Sequence, residues 1–99
     1  MPQYRVDTEA IEQTAAQVQQ KHNEILSTIT ELRSLNSALD GYWDGEAQQA
    51  FEASFGDWLV QLEQFSETLE SVHQYLVQYV AARRELEEQA ASAASGGVG

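Results

Sequence analysis

"DGYWDGEAQQAF", residues 40–51, brings two glycines and a tryptophan into one short stretch. Everything before it lacks glycine, and the one proline is at position 2. Glycine and proline are the residues least tolerated inside helices. A helix can therefore run unbroken up to this stretch, turn there, and a second helix can run on from it. The rest of the chain is largely Ala, Gln, Glu, Leu and Ser, with no run of β-branched residues, which favours an all-helical chain.

Working back from the stretch, the apolar residues alternate spacings of three and four. Leu39, Leu32, Ile29, Ile25, Val18 and Ile11 follow this rule, with Tyr4, Thr8, Ala15, His22 and Asn36 filling the steps. This is a heptad seam, and polar members of such a seam fix register at some cost in stability. Working forward, Phe51, Phe55, Trp58, Leu62, Phe65, Leu69, Val72, Leu76, Tyr79, Arg83 and Leu86 obey the same rule. Two unbroken seams around one turn predict an antiparallel helix-turn-helix hairpin. Its boundaries are helix 1 over 7–39, a turn over 40–45 and helix 2 over 46–90, together a hairpin domain of residues 1–90. Residues 91–99, "ASAASGGVG", are expected to remain an unfolded tail.

The caps fit this division. Asp7 suits the N-cap of helix 1, Gly41 a left-handed helix end, and Asp44 the N-cap of helix 2. Arg83 and Arg84 suit the negative end of helix 2. If Leu39 lies opposite Glu46, His22 falls opposite about Glu63 and His73 opposite about Glu12. Helix 1 then reaches only to about Gln78. "YVAARRELEEQA", with Tyr79, Val80 and Leu86, overhangs by roughly 18 Å and is a candidate docking segment. On a helical wheel Leu59 and Val77 fall to one side of the second seam, and Ala50, Tyr75 and Leu86 to the other. That apolar arc of roughly 200° is twice what one partner helix covers. A second hairpin, forming a four-helix bundle, is the expected cover.

Charge and composition exclude other classes. The net charge of −11, from 16 acidic and 5 basic residues, repels nucleic-acid backbones and anionic membranes. No apolar run is long enough to span a membrane, and the N-terminus shows no cleavable signal. Taken alone, these features suggest a cytoplasmic protein. The two histidines sit about ten residues apart along the axis and cannot share a metal within one hairpin. No nucleophile–base set, phosphate loop or metal spacing is present, so no enzyme activity, cofactor or metal is expected. Trp43 is open to two readings: a plug over Leu39 and Phe51, or an exposed recognition residue. Gly45 reads as a steric requirement of the turn.

A hundred-residue helical hairpin with Trp43-Asp44-Gly45 in its only turn resembles the WXG-motif family, the early-secreted-antigen-like substrates of type VII (ESX) secretion. The resemblance covers the whole chain. It implies export as a folded dimer, without a cleaved signal, by an ESX membrane machine with an ATPase motor. It also implies pairing with another WXG-type protein. The family's second motif, Y-x-x-x-D/E at or just after the end of helix 2, is missing there: Tyr79 is followed four residues on by Arg83, and Tyr75 by Tyr79. A heterodimer is therefore favoured over a homodimer, with the partner supplying that motif beside Trp43 and Gly45. The alternatives are a generic helical assembly module and a host-directed effector.

Overall fold

The computed structural model describes residues 6–96. It is an antiparallel hairpin of two helices, α1 (Thr8–Leu39) and α2 (Glu46–Gly96), with a rod-like outline of 81 × 25 × 15 Å. Helix α1 begins where its cap predicts: the Asp7 side chain accepts from the Ala10 N–H at 3.0 Å. Helix α2 continues to Gly96, six residues past the expected end at 90. Ala91–Ala94 includes three alanines and one serine, and nothing there stops a helix already under way. Arg83 and Arg84 are consequently far from the helix end and interact with side chains instead. Tyr4 and residues 97–99 lie outside the described residues.

The turn differs from expectation in its hinge. Gly41 does not take a left-handed conformation. Asp40, Gly41 and Tyr42 instead donate to the carbonyls three residues back, at 3.2, 3.3 and 2.9 Å, so α1 tightens as it ends. Asp40 itself stays in the right-handed helical region. The glycine that matters is Gly45, at φ +110°. Nothing lies within 4 Å of where its Cβ would be, so the requirement is backbone conformation, not space. Its carbonyl accepts from the Gln49 N–H at 3.1 Å. Gly45, not Asp44, therefore occupies the position just before α2.

This longer turn shifts the register by about three residues. Gln48 hydrogen-bonds Asp40 at 3.3 Å, His22 lies against Ser66, and His73 against Ala15. The last two pairs are one heptad apart on each helix. His22 thus faces Ser66 rather than Glu63, and His73 faces Ala15 rather than Glu12. The start of α1 then reaches Val80, which is 4% exposed. Val80 is interior and not part of a free docking segment.

The α1 seam faces α2. Ala15 and Ile29 are buried, and Ile11, Val18, Ile25 and Leu32 are half-buried; Leu39, at the turn, is exposed. The α2 seam divides. Phe51, Phe55, Leu62, Leu69 and Leu76 are half-buried, but Trp58, Phe65, Val72, Tyr79 and Leu86 are exposed. Their places against α1 are taken by Leu59, Ser66, His73 and Val80. The reason is the closeness of the helices. Ala15 and Ser66 are each 1% exposed, and a tryptophan or phenylalanine row at that contact would overpack it.

Candidate functional site

The hairpin has two unlike flanks. On one, polar groups tie the helices together. His22 Nδ1 is 2.8 Å from both the carbonyl and the hydroxyl oxygen of Ser66, and its Nε2 is 3.2 Å from Glu70. His73 Nδ1 donates to the Ala15 carbonyl at 2.8 Å. Arg33 pairs with Glu63, and Arg84 with Glu12 at 2.8 Å. Both histidines are thus committed to the other helix as register-fixing residues. Among the described residues no group of His, Asp and Glu could hold a metal ion.

Among the described residues the other flank carries no interhelical ion pair. It is built from the half-buried rows Ile11-Val18-Ile25-Leu32 of α1 and Phe55-Leu62-Leu69-Leu76 of α2, bordered by the exposed row Trp58-Phe65-Val72-Tyr79-Leu86. Residues seven apart recur on one helix face, so the exposed row is a continuous stripe. At the open end of the hairpin this flank dips into an open cleft lined by Ile11, Tyr75, Leu76 and Tyr79. Trp58 and Phe65 are 55% and 52% exposed. Of the expected overhang residues, Tyr79 and Leu86 lie on this stripe and Val80 does not.

Trp43 sits at the turn end of the same flank. Its ring centroid is 5.4 Å from that of Phe51, which lies 5.5 Å from Phe55, which lies 6.4 Å from Trp58. These spacings are ordinary for interacting aromatic pairs. Trp43 packs against Phe51 and remains 37% exposed. The tryptophan of the turn is therefore the first ring of an aromatic chain that runs onto the exposed stripe. Gly45, two residues on, aims the backbone into α2.

Residues 3–95 match the family described as "WXG100: Proteins of 100 residues with WXG". The chain belongs to the WXG100 family. It is 34% identical over 77 residues to an "ESAT-6-like protein" of Thermomonospora curvata, covering 78% of this chain and 74% of that one. No solved structure matches. The WXG100 signature thus corresponds here to two distinct physical demands, an aromatic anchor at Trp43 and a positive-φ glycine at Gly45.

The sequence did not single out Ser66 or the two interhelical arginine–glutamate pairs, and it read His73 only as one of two histidines too far apart to share a metal. A second heptad register, 59, 66, 73 and 80, was present but held a serine and a histidine between Leu59 and Val80. It was outweighed by the more apolar register one residue before it.

Proposed function

We propose that this WXG100 protein is a secreted substrate of a type VII (ESX) system, exported as a folded pair with a second WXG-type hairpin that covers the apolar flank. The supporting observation is that flank: an exposed apolar stripe along α2, joined at one end to Trp43 through a chain of packed aromatic rings. A compact monomer of 11.0 kDa would expose about 5,600 Å². This chain exposes 7754 Å². The excess, roughly 2,100 Å² on this one chain, is more than the about 800 Å² per partner that a standard interface buries. No helix among the described residues is long and apolar enough to cross a membrane. A protein partner is the cover that remains.

In this reading Trp43 and Gly45 form half of the export surface. The chain lacks a Y-x-x-x-D/E sequence at its tyrosines on α2, so the partner supplies it, as a heterodimer would. The ESX ATPase then engages the pair and not the single chain. The test is to follow the protein in culture medium and in cells, with and without the ESX ATPase, for the native chain and for Trp43→Ala. The expected result is loss from the medium when the ATPase is deleted, and retention of Trp43→Ala in cells although it still pairs. Unchanged export without the ATPase would overturn the reading. Retention of the native chain in cells with the ATPase active would favour a generic assembly module.

A further inference from the structure

We propose that the partner seated on the apolar flank is a helical hairpin with Lys and Arg along its edges, and that acidic edges on this chain disfavour a second copy of itself. This rests on the reading that the flank is the pairing surface, and it specifies the chemistry of what pairs there.

The first observation is where charge is missing. The stripe 51, 58, 65, 72, 79, 86 and the adjoining row 54, 61, 68, 75, 82, 89 contain no charged residue, in a chain of net charge −11. The contact area is neutral while the molecule is strongly acidic. The second observation is what borders it. On α2 the next row holds Asp57 and Glu85; on α1 the two rows outside Ile11-Val18-Ile25-Leu32 hold Asp7, Glu24 and Glu31 against one cation, Lys21, all exposed. The third observation is that the Lys and Arg side chains among the described residues already have acidic neighbours. Lys21 is 3.1 Å from Glu24, Arg33 pairs with Glu63, Arg83 is 3.4 Å from Glu87, and Arg84 is 2.8 Å from Glu12. Each of these four cations lies within ion-pair distance of a carboxylate of its own chain, although Arg83 Nε makes no hydrogen bond there.

A second copy would therefore bring carboxylates to carboxylates at the edges, with its described cations already beside carboxylates of its own. Apolar burial would draw the copies together and the edges would push them apart. A partner with basic edges gains from both. Edge charges act chiefly on partner choice and association, and salt screens them. The acidic edges then exclude the self-pair while leaving the neutral stripe free to bury.

The experiment uses the chain and an edge-reversed variant of it, Glu31→Lys, Asp57→Lys, Glu85→Lys. Association is measured by sedimentation equilibrium for each alone and for the mixture, at about 0.05 M and 0.5 M salt. The mixed pair is expected to be at least about tenfold tighter than the native self-pair at low salt, with the preference lost at high salt. Native self-association as tight as the mixed pair at low salt would overturn the proposal. A neutralised variant, Glu31→Gln, Asp57→Asn, Glu85→Gln, gives an independent arm. It should self-associate more tightly than the native chain, and no gain would count against the proposal even if the lysine variant failed to fold. Phe65→Asp placed in both members separates the two readings. If the mixed pair survives it, the flank is not the pairing surface and the underlying reading fails. If the pair is lost but no charge preference exists, only the present inference fails.

Discussion

Leu59, Ser66, His73 and Val80 stand one residue after Trp58, Phe65, Val72 and Tyr79, yet the two rows do opposite things. The first row faces α1 and contains a serine and a histidine; the second faces away and is wholly apolar or aromatic. The difference teaches that the most hydrophobic register of a helix need not be the one it uses inside its own chain. Close packing of α1 on α2 needs small residues at the contact, and Ala15 and Ser66 provide them. The bulk is left on the side where a second molecule has room to accept it.

The comparison can be broken most sharply at Phe65. Placing a carboxylate there, Phe65→Asp, leaves the hairpin's own contact intact but puts a charge into the pairing stripe. The expected loss is about 3 kcal/mol of pairing, more than a hundredfold in affinity, with helicity retained. Sedimentation and circular dichroism measure the two together, and a loss of helicity equal to that of an interior variant would show that the rows are not distinct. The converse change is Ser66→Leu. It should cost about 1–3 kcal/mol of hairpin stability through overpacking, read from urea unfolding. A neutral or stabilising result would mean that the helices are not close-packed at Ser66.

Gly45→Ala probes the link between the turn and both rows. An alanine at φ +110° is strained by about 1–3 kcal/mol, so the unfolding midpoint should fall although nothing crowds the new methyl. Gly41→Ala, at a position without positive φ, should be much milder. The smallest effect is expected at Glu52, at the turn end. Hydrogen bonding with Asp40 raises its pKa above the usual 4.5, with Gln48 opposing and burial and the Asp40 charge adding. A carboxyl with a raised folded pKa contributes stability that is full below the unfolded pKa and is lost as pH rises through the folded value. Mild acid should therefore tighten the turn, and Glu52→Gln should remove that part of the pH dependence of thermal unfolding. An identical pH profile in the variant would rule out the Asp40–Glu52 interaction.

Much of this was legible in the sequence. Unbroken heptads and the position of Gly41 to Gly45 were enough for the hairpin, because a helix's period and its breakers are local properties. Asp7 as a cap was legible for the same reason. The choice between registers 58/65/72/79 and 59/66/73/80 was not, since periodicity marks an apolar arc but not which part of it meets which neighbour. The three-residue shift in register was hidden too. It depends on how α1 tightens through Asp40–Tyr42 before the chain reaches Gly45, a tertiary result of local hydrogen bonds. Packing of Trp43 over Phe51 was one of the two readings open in the sequence; that the ring also stays 37% exposed depends on the path of that turn. The end of α2 was misplaced because an alanine-rich segment reads equally as a tail or as the continuation of a helix.

A hairpin with a single connection also has a particular folding route open to it. Contacts such as His22–Ser66 and Ala15–His73 are 44 and 58 residues apart in the chain. Formed first, each would close a long loop at an entropic cost. Once the turn holds Trp43 against Phe51, each heptad brings the next within reach, and the helices can close from that end like a zip. A defect at Gly45 would then be felt more in the speed of folding than in the speed of unfolding.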